Sequence, residues 1–336
     1  MFHRTMAWLA ALAAIGLMTA PAPAAEHYPS RQVTIVVPFG PGSVTDVAAR
    51  LIAQYLQEAM GQPFVVENKA GGGGLIVAGA VARAQADGYT LLVTTNTTHS
   101  AAQGLFKNVP YDPIKDFDPV ARIGSFPAFI AVNAHLPINS IEDLVAYARA
   151  NPGKLDYGHG NSTGQIVGEA IKYRTGIDMV RVAYRSNPAA ITDLIAGHID
   201  MMFPDFGTGL EHLRAGKIRA LAVFTGTRNS QLPDVPTLNE TVMPGFDVIA
   251  WVGMFAPAGT PPAAIDALAS EGAHHPGTAR RPSPLRRWRH QRVLFRPGGI
   301  PRRCEERTGE MARAVQRSRH RTGVMEPERR DRNERC

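Results

Sequence analysis

Val33-Thr-Ile-Val-Val37 runs directly into Pro38-Phe-Gly-Pro-Gly-Ser43 and then Val44-Thr-Asp46, and the fold can be read outward from this stretch. Five residues, four of them valine or isoleucine, have the composition of a strand buried on both faces, as in a parallel sheet. The Gly/Pro turn that follows breaks the strand. Val47, Ala48, Leu51, Ile52, Tyr55 and Leu56 then recur at helical spacing until Gly61 stops the helix. Phe64-Val-Val66 predicts a second strand, Leu75 to Ala84 a helix and Thr90 to Thr94 a third strand. Strand, helix and strand in this alternation predict an α/β fold with ligand chemistry at the strand ends.

The rhythm continues. Strands are predicted over 128–132, 155–158, 180–183, 199–203 and 220–224, with helices over 140–150, 164–173 and 188–196. A further helix is predicted from Ala263, but Gly272, Pro276, Pro282 and Pro284 interrupt it and apolar periodicity ends near residue 270. No period of 20–50 residues repeats, which excludes a solenoid.

Three helix starts share a chemistry. Ser43-Val-Thr-Asp46 and Ser162-Thr-Gly-Gln165 both have the form of a capping box, a hydroxyl with an acid or amide three residues later. Asn187-Pro188 places a capping residue before proline at the first helical position. Each helix follows a strand and a short polar loop, so its free N–H groups and positive end point toward the strand-end crevice. Such ends bind anions without lysine or arginine. Read alone, each is equally an ordinary cap.

Other segments carry less. Gly71 to Gly74 lacks the Lys-Ser/Thr ending of a phosphate loop and the spacing of a dinucleotide fingerprint, so it reads as a turn. Thr94 to Ser100 (TTNTTHS) is either a solvated loop or the hydrogen-bonding wall of a pocket. His99, Asp193 and Asp205 are acid–base residue types, but no G-x-S-x-G elbow and no H-x-x-x-H metal spacing accompanies them. No cofactor is implied.

The two ends differ from the body. The chain has 336 residues and a formal charge of +7. From Glu271 to Cys336 it holds 18 arginines, no lysine and 8 acids, a balance of +10, which leaves −3 for the preceding 270 residues. Both cysteines, Cys304 and Cys336, also lie in this tail, so the body cannot depend on disulfides or thiolate metal sites. His3 and Arg4, the apolar run Met6 to Ala20, and Ala22-Pro23-Ala24 have the form of an export signal over residues 1–24, cleaved after Ala24 or Ala25.

Taken together, VVPFGPGSVTD (36–46), GQPFVVENKAGGGG (61–74), DGYTLL (87–92), VPYDPIKDFDPV (109–120), NPGKLDYG (151–158), ITDLIAGHIDMMF (191–203), AGKIRALAV (215–223), LPDVPT (232–237) and FAPAGTPP (255–262) resemble the periplasmic substrate-binding receptors of tripartite tricarboxylate transporters, the Bug family. The resemblance implies a two-lobed, periplasmic-binding-protein-like (type II) α/β fold with the ligand in the interlobe cleft. Lobe I would combine 26–124 with 227–270, and lobe II would be 125–226. It implies a monomeric, non-catalytic periplasmic receptor that delivers a small organic carboxylate to membrane permease subunits, with no nucleic-acid partner. An exported α/β hydrolase-like enzyme is the alternative, and it lacks a recognisable nucleophile, base and orienting acid. Carried over, the ligand-binding positions are Phe39, Gly40, Gly42, Ser43, Asp46, Thr95, Thr97, His99, Gly160, Asn161, Ser162, Thr163, Ser186, Asn187 and Asp205. The chain departs from the family pattern at PFGPGS, at Arg185-Ser186-Asn187-Pro188 and at Pro204-Asp205, so the ligand itself is not inherited.

The tail contains RRPSPLRRWRHQR (280–292), with six arginines and a histidine, which by itself would suggest nucleic-acid binding. Members of the family instead finish with helices on the first lobe and a pattern like ELAKW followed by AGI. GC-rich codons for Cys304 to Gly323, read one nucleotide later, can encode AKNELAKWRALSKEAGIEP. The sequence therefore predicts that the reading frame slips between about Leu268 and His274, leaving a disordered arginine-rich tail over 271–336 and a first lobe partly exposed.

Overall fold

The computed structural model describes residues 28–271. The expected signal segment and the arginine-rich tail lie outside them, apart from Glu271 at the end of the last helix. The described chain forms two sheets of five strands each.

The first sheet has the order β2-β1-β3-β10-β4, with β1 at Val33–Val37, β2 at Phe64–Asn68, β3 at Thr90–Thr95, β4 at Phe117–Phe126 and β10 at Ala250–Pro257. Strand β1 is parallel to β2 and β3, as its buried β-branched composition predicts, while β10 runs antiparallel between β3 and β4. Helix α1 (Val44–Met60) lays Ala49, Ala53 and Leu56 on one face, joined there by Ile265 and Leu268 of α8 (Pro262–Glu271). Helix α2 (Leu75–Ala82) covers the other face with Leu75, Ala78 and Val81. Each leucine, isoleucine and valine among these contributes roughly 1.5–3 kcal/mol by leaving water. The glycine run before α2 is a short 3-10 turn, and Gly71 to Gly74 all have positive φ. A side chain at Gly73 would also meet the ring of Phe106 at 2.6 Å. The four glycines act as the turn the sequence suggests.

The second sheet has the order β7-β6-β8-β5-β9, with β5 at Phe129–Asn133, β6 at Asp156–His159, β7 at Val180–Ala183, β8 at Met201–Met202 and β9 at Ile218–Val223. Strands β6, β7 and β8 are parallel, and β5 is antiparallel to β8 and β9. Helices α4 (Ile141–Ala150) and α5 (Ser162–Thr175) bury Leu144, Val145, Val167 and Ile171 on one face. Helices α6 (Asn187–Ala196) and α7 (Phe206–Arg214) bury Ile191, Leu194, Phe206 and Leu210 on the other. Helix α3 (Ala102–Leu105) is a single turn that brings Leu105 against Ile166 of the second lobe.

The chain crosses between the sheets at 127–128 and again just before Ala250. One lobe boundary therefore differs from the sequence reading. Residues 227–249, assigned to the first lobe, place Leu238, Met243 and Phe246 in the core of the second. Leu232 and Val235 pack on the opposite face of the same sheet. Thr237 forms a parallel bridge with Val223, and Val248 N–H donates to Phe224 O. Only with β10 does the chain return, because its apolar run pairs centrally in the first sheet.

Candidate functional site

The cleft between the lobes holds a small, partly open cavity. Phe39, Ser43, Val44, Thr45, Thr95 and Phe126 line it from the first lobe, and Gly160, Asn161, Ser186, Asn187 and Asp205 from the second. None of these is basic. The cavity sits where the turn after β1, the end of β3, the loop after β6 and the start of α6 converge.

Each wall is fixed by local chemistry. Ser43 caps α1, its Oγ accepting the Asp46 N–H at 3.2 Å. Asp46 completes only part of the predicted box, because its carboxylate accepts from Gly42 N–H at 2.9 Å, Asn68 Nδ2 at 2.9 Å and Arg50 Nε at 3.0 Å. Burial alone would raise the pKa of Asp46, but the Gly42 N–H, the Asn68 amide and the Arg50 guanidinium outweigh it and hold the carboxyl below its ordinary value. Gly42 takes a left-handed turn at φ 76°, and Gly40 packs so closely that an added Cβ would lie 2.9 Å from Ser186 Oγ. Val44 and Thr45, whose first-turn N–H groups have no intrahelical partner by geometry, line the cavity.

On the second lobe, α5 is capped by Asn161 and not by Ser162: Asn161 Oδ1 accepts from Gly164 N–H at 3.1 Å. Likewise Ser186, not Asn187, occupies the cap position of α6, with Pro188 in the first turn. The Asn187 side chain is diverted to join three loops. Its Oδ1 accepts from Gly160 N–H at 3.2 Å, and its Nδ2 donates to Asp205 Oδ2 at 3.0 Å and to Phe203 O at 3.4 Å. Asp205 in turn caps α7, accepting the Thr208 N–H at 2.9 Å. A side chain on Gly160 would meet the backbone N of Asn187 at 2.2 Å, so glycine is required there by close approach.

Of the sequence-predicted positions, Phe39, Ser43, Thr95, Gly160, Asn161, Ser186, Asn187 and Asp205 come together around the cavity. Gly40, Gly42 and Asp46 shape the turn behind it. Thr97, Ser162 and Thr163 are engaged with one another and with Asn96 across the lobes.

His99 does not line the cavity. Its ring stacks on Phe255 at 3.9 Å beside Phe117 and Trp251, and its Nδ1 meets Thr98 Oγ1 at 3.0 Å. Burial pushes its pKa down to about 3. A neutral histidine in an aromatic cluster suits core packing. His159 is also buried, its Nδ1–H donating to Asn161 O at 3.2 Å. Burial first, and Arg181 second, lower its pKa to about 4 despite the Asn161 carbonyl and Glu169.

Val44, Thr45 and Phe126 also line the cavity, the first two within the Ser43–Asp46 helix start that the sequence pointed to. The N–H groups of the first two were implied by the helix start. Phe126 carried no signal, because only the crossing of the lobes brings the end of β4 to the cleft. Among the described residues no group of three His, Cys, Asp or Glu could hold a metal, and no helix is long and apolar enough to cross a membrane.

Comparison with known proteins agrees with this architecture. The family described as "Tripartite tricarboxylate transporter family receptor" matches residues 48–279. Protein BugT of Bordetella pertussis is 36% identical over 262 residues, covering 76% of this chain and 80% of BugT. A R. palustris protein solved with adipate superposes with a TM-score of 0.76 at 33% identity, covering 86% of this chain and 98% of that one. MatC of Rhodopseudomonas palustris, solved with bound malate, gives a TM-score of 0.69 at 30% identity, covering 88% and 98%.

Proposed function

The chain belongs to the tripartite tricarboxylate transporter family of receptors, and on that premise we propose that it captures a small mono- or dicarboxylate in its interlobe cleft, outside the cytoplasm, and delivers it to the membrane permease subunits of such a transporter. The observation that carries this reading is the character of the cavity wall. It offers hydroxyls, the Asn161 and Asn187 amides and the N-termini of α1 and α6, with the Asp205 carboxylate already taken up by Asn187 and the cap of α7, and no lysine, arginine or histidine. Helix ends supply roughly half a positive charge together with oriented N–H donors, which neutralises a carboxylate without a counter-ion. Ser43, Asn161 and Ser186 are the side chains suited to carboxylate oxygens, with Phe39 and Phe126 flanking the carbon skeleton. Adipate and malate in the solved relatives set the size class to test first.

A thermal-shift screen of small carboxylates checks the proposal. A ligand that binds only the folded state stabilises by RT ln(1 + [L]/Kd), so adipate or malate at a hundred times Kd adds about 2.7 kcal/mol. An apolar or cationic compound preferred over every carboxylate would overturn it.

A further inference from the structure

The lobes are joined by a buried polar contact outside the cavity wall. Asn96 Nδ2 donates to Ser162 Oγ at 3.2 Å and to Thr163 Oγ1 at 3.0 Å, and Thr163 Oγ1 donates back to Asn96 Oδ1 at 3.4 Å. Ser162 gives both its N–H (3.2 Å) and its hydroxyl (3.0 Å) to Thr97 Oγ1. All four residues are buried, Asn96 the least so at 8% exposure. The first-lobe side of the contact is held in shape by bonds within its own lobe. Thr97 N–H donates to Thr95 Oγ1 at 3.2 Å, Thr94 and Thr98 join hydroxyls at 2.8 Å, and Tyr111 Oη donates to Thr98 O at 2.6 Å.

The position of the contact matters as much as its number of bonds. Ser162 is the first residue of α5, so its N–H has no intrahelical partner and would otherwise be open to a ligand. Thr97 takes it instead. Asn161 already occupies the Gly164 N–H, which leaves α5 only the Thr163 N–H to offer an anion. We propose that Asn96 and Thr97 are positioning residues that latch the two lobes together and, by occupying the Ser162 amide at the start of α5, assign the bound anion to the N-termini of α1 and α6. The anion half of this statement rests on the carboxylate reading; the latch half does not.

Amide hydrogen exchange on the ligand-free full chain separates the two. A first-turn amide that met only water would exchange at the rate of an unstructured chain. The latch predicts that the Ser162 amide exchanges at least tenfold more slowly, that Thr97→Val abolishes this protection, and that Thr97→Ser, which keeps the hydroxyl, restores it. Amides of β1, far from the latch, report whether the variants remain folded. Asn96→Ala, which leaves β3 untouched, is the second variant and is expected to reduce the same protection if Thr97→Val does not fold. With adipate as the probe, Thr97→Val should release it about tenfold faster while Thr97→Ser matches the parent. Ser162 exchanging at the unstructured rate in the parent protein, or staying equally protected in the Thr97→Val and Asn96→Ala variants, would overturn the latch. If the parent bound neither adipate nor any other carboxylate, the carboxylate reading would fall while the exchange comparison still decided the latch.

Discussion

Gly160→Ala is the most demanding test of how the second-lobe half of the cleft is built. The added methyl would lie 2.2 Å from both Asn187 N and the Ser186 carbonyl carbon, and 2.7 Å from Ser186 O. These are backbone atoms, so no side-chain rotation relieves the overlap. Bringing a 2.2 Å approach out to ordinary contact at 3.4 Å requires the loops to separate by about 1.2 Å. Overpacking of this kind costs roughly 1–3 kcal/mol. The separation also stretches the 3.2 Å bond from Gly160 N–H to Asn187 Oδ1, and a buried donor left unpaired adds roughly 1–3 kcal/mol. A total loss of about 2–6 kcal/mol is expected, read as a shift in the urea midpoint. Gly176→Ala is the control, since its Cβ meets nothing within 4 Å and its cost is only that of the left-handed φ of 69°, about 1–2 kcal/mol. Gly160, Asn161, Ser186 and Asn187 all line the cavity, so Gly160→Ala should also weaken carboxylate binding at least a hundredfold by calorimetry. A variant as stable as the parent with unchanged affinity would refute the claim that close loop approach shapes this wall.

Two further outcomes follow from buried titratable groups. His159 has a folded pKa of about 4 against 6.5 unfolded, so the unfolded chain binds more protons between these values and stability falls as pH drops through that window. The loss is about 3 kcal/mol by pH 4, and urea midpoints for His159→Gln should show a correspondingly flatter profile from pH 6.5 to 4; an unchanged slope would count against burial of the neutral ring. Asp46 has a lowered pKa, so its contribution is present above its ordinary value and is lost as pH falls through the lowered one. Asp46→Ala leaves the Gly42 N–H and the Asn68 amide without their acceptor and should cost about 2–4 kcal/mol at neutral pH, checked by thermal unfolding.

Much of the fold was legible because it rests on local periodicity. The five apolar β-branched and hydroxylated residues of β1 and the spaced apolar positions of α1 each specify their own element. The Ser140–Asp143 capping box likewise marks the start of α4 as the structure has it. Strands β4 and β10 were not read, since Phe117–Phe126 mixes proline, aspartate and arginine, and Ala250–Pro257 is an apolar run without alternation. Their state depends on pairing with each other, which is a long-range matter. The same division runs through the site. Ser43 could be picked out because a capped helix start is written in consecutive residues, whereas Gly160 and Ser186 came only from the family resemblance. That His99 turns away into an aromatic cluster, that Asn187 ties three loops together, and that Asn96 and Thr97 close on Ser162 and Thr163 depend on partners 16–156 residues away or more than 60 residues across the cleft. Sequence determined which backbone groups need partners; only the packing of two lobes against each other decided which partners they found.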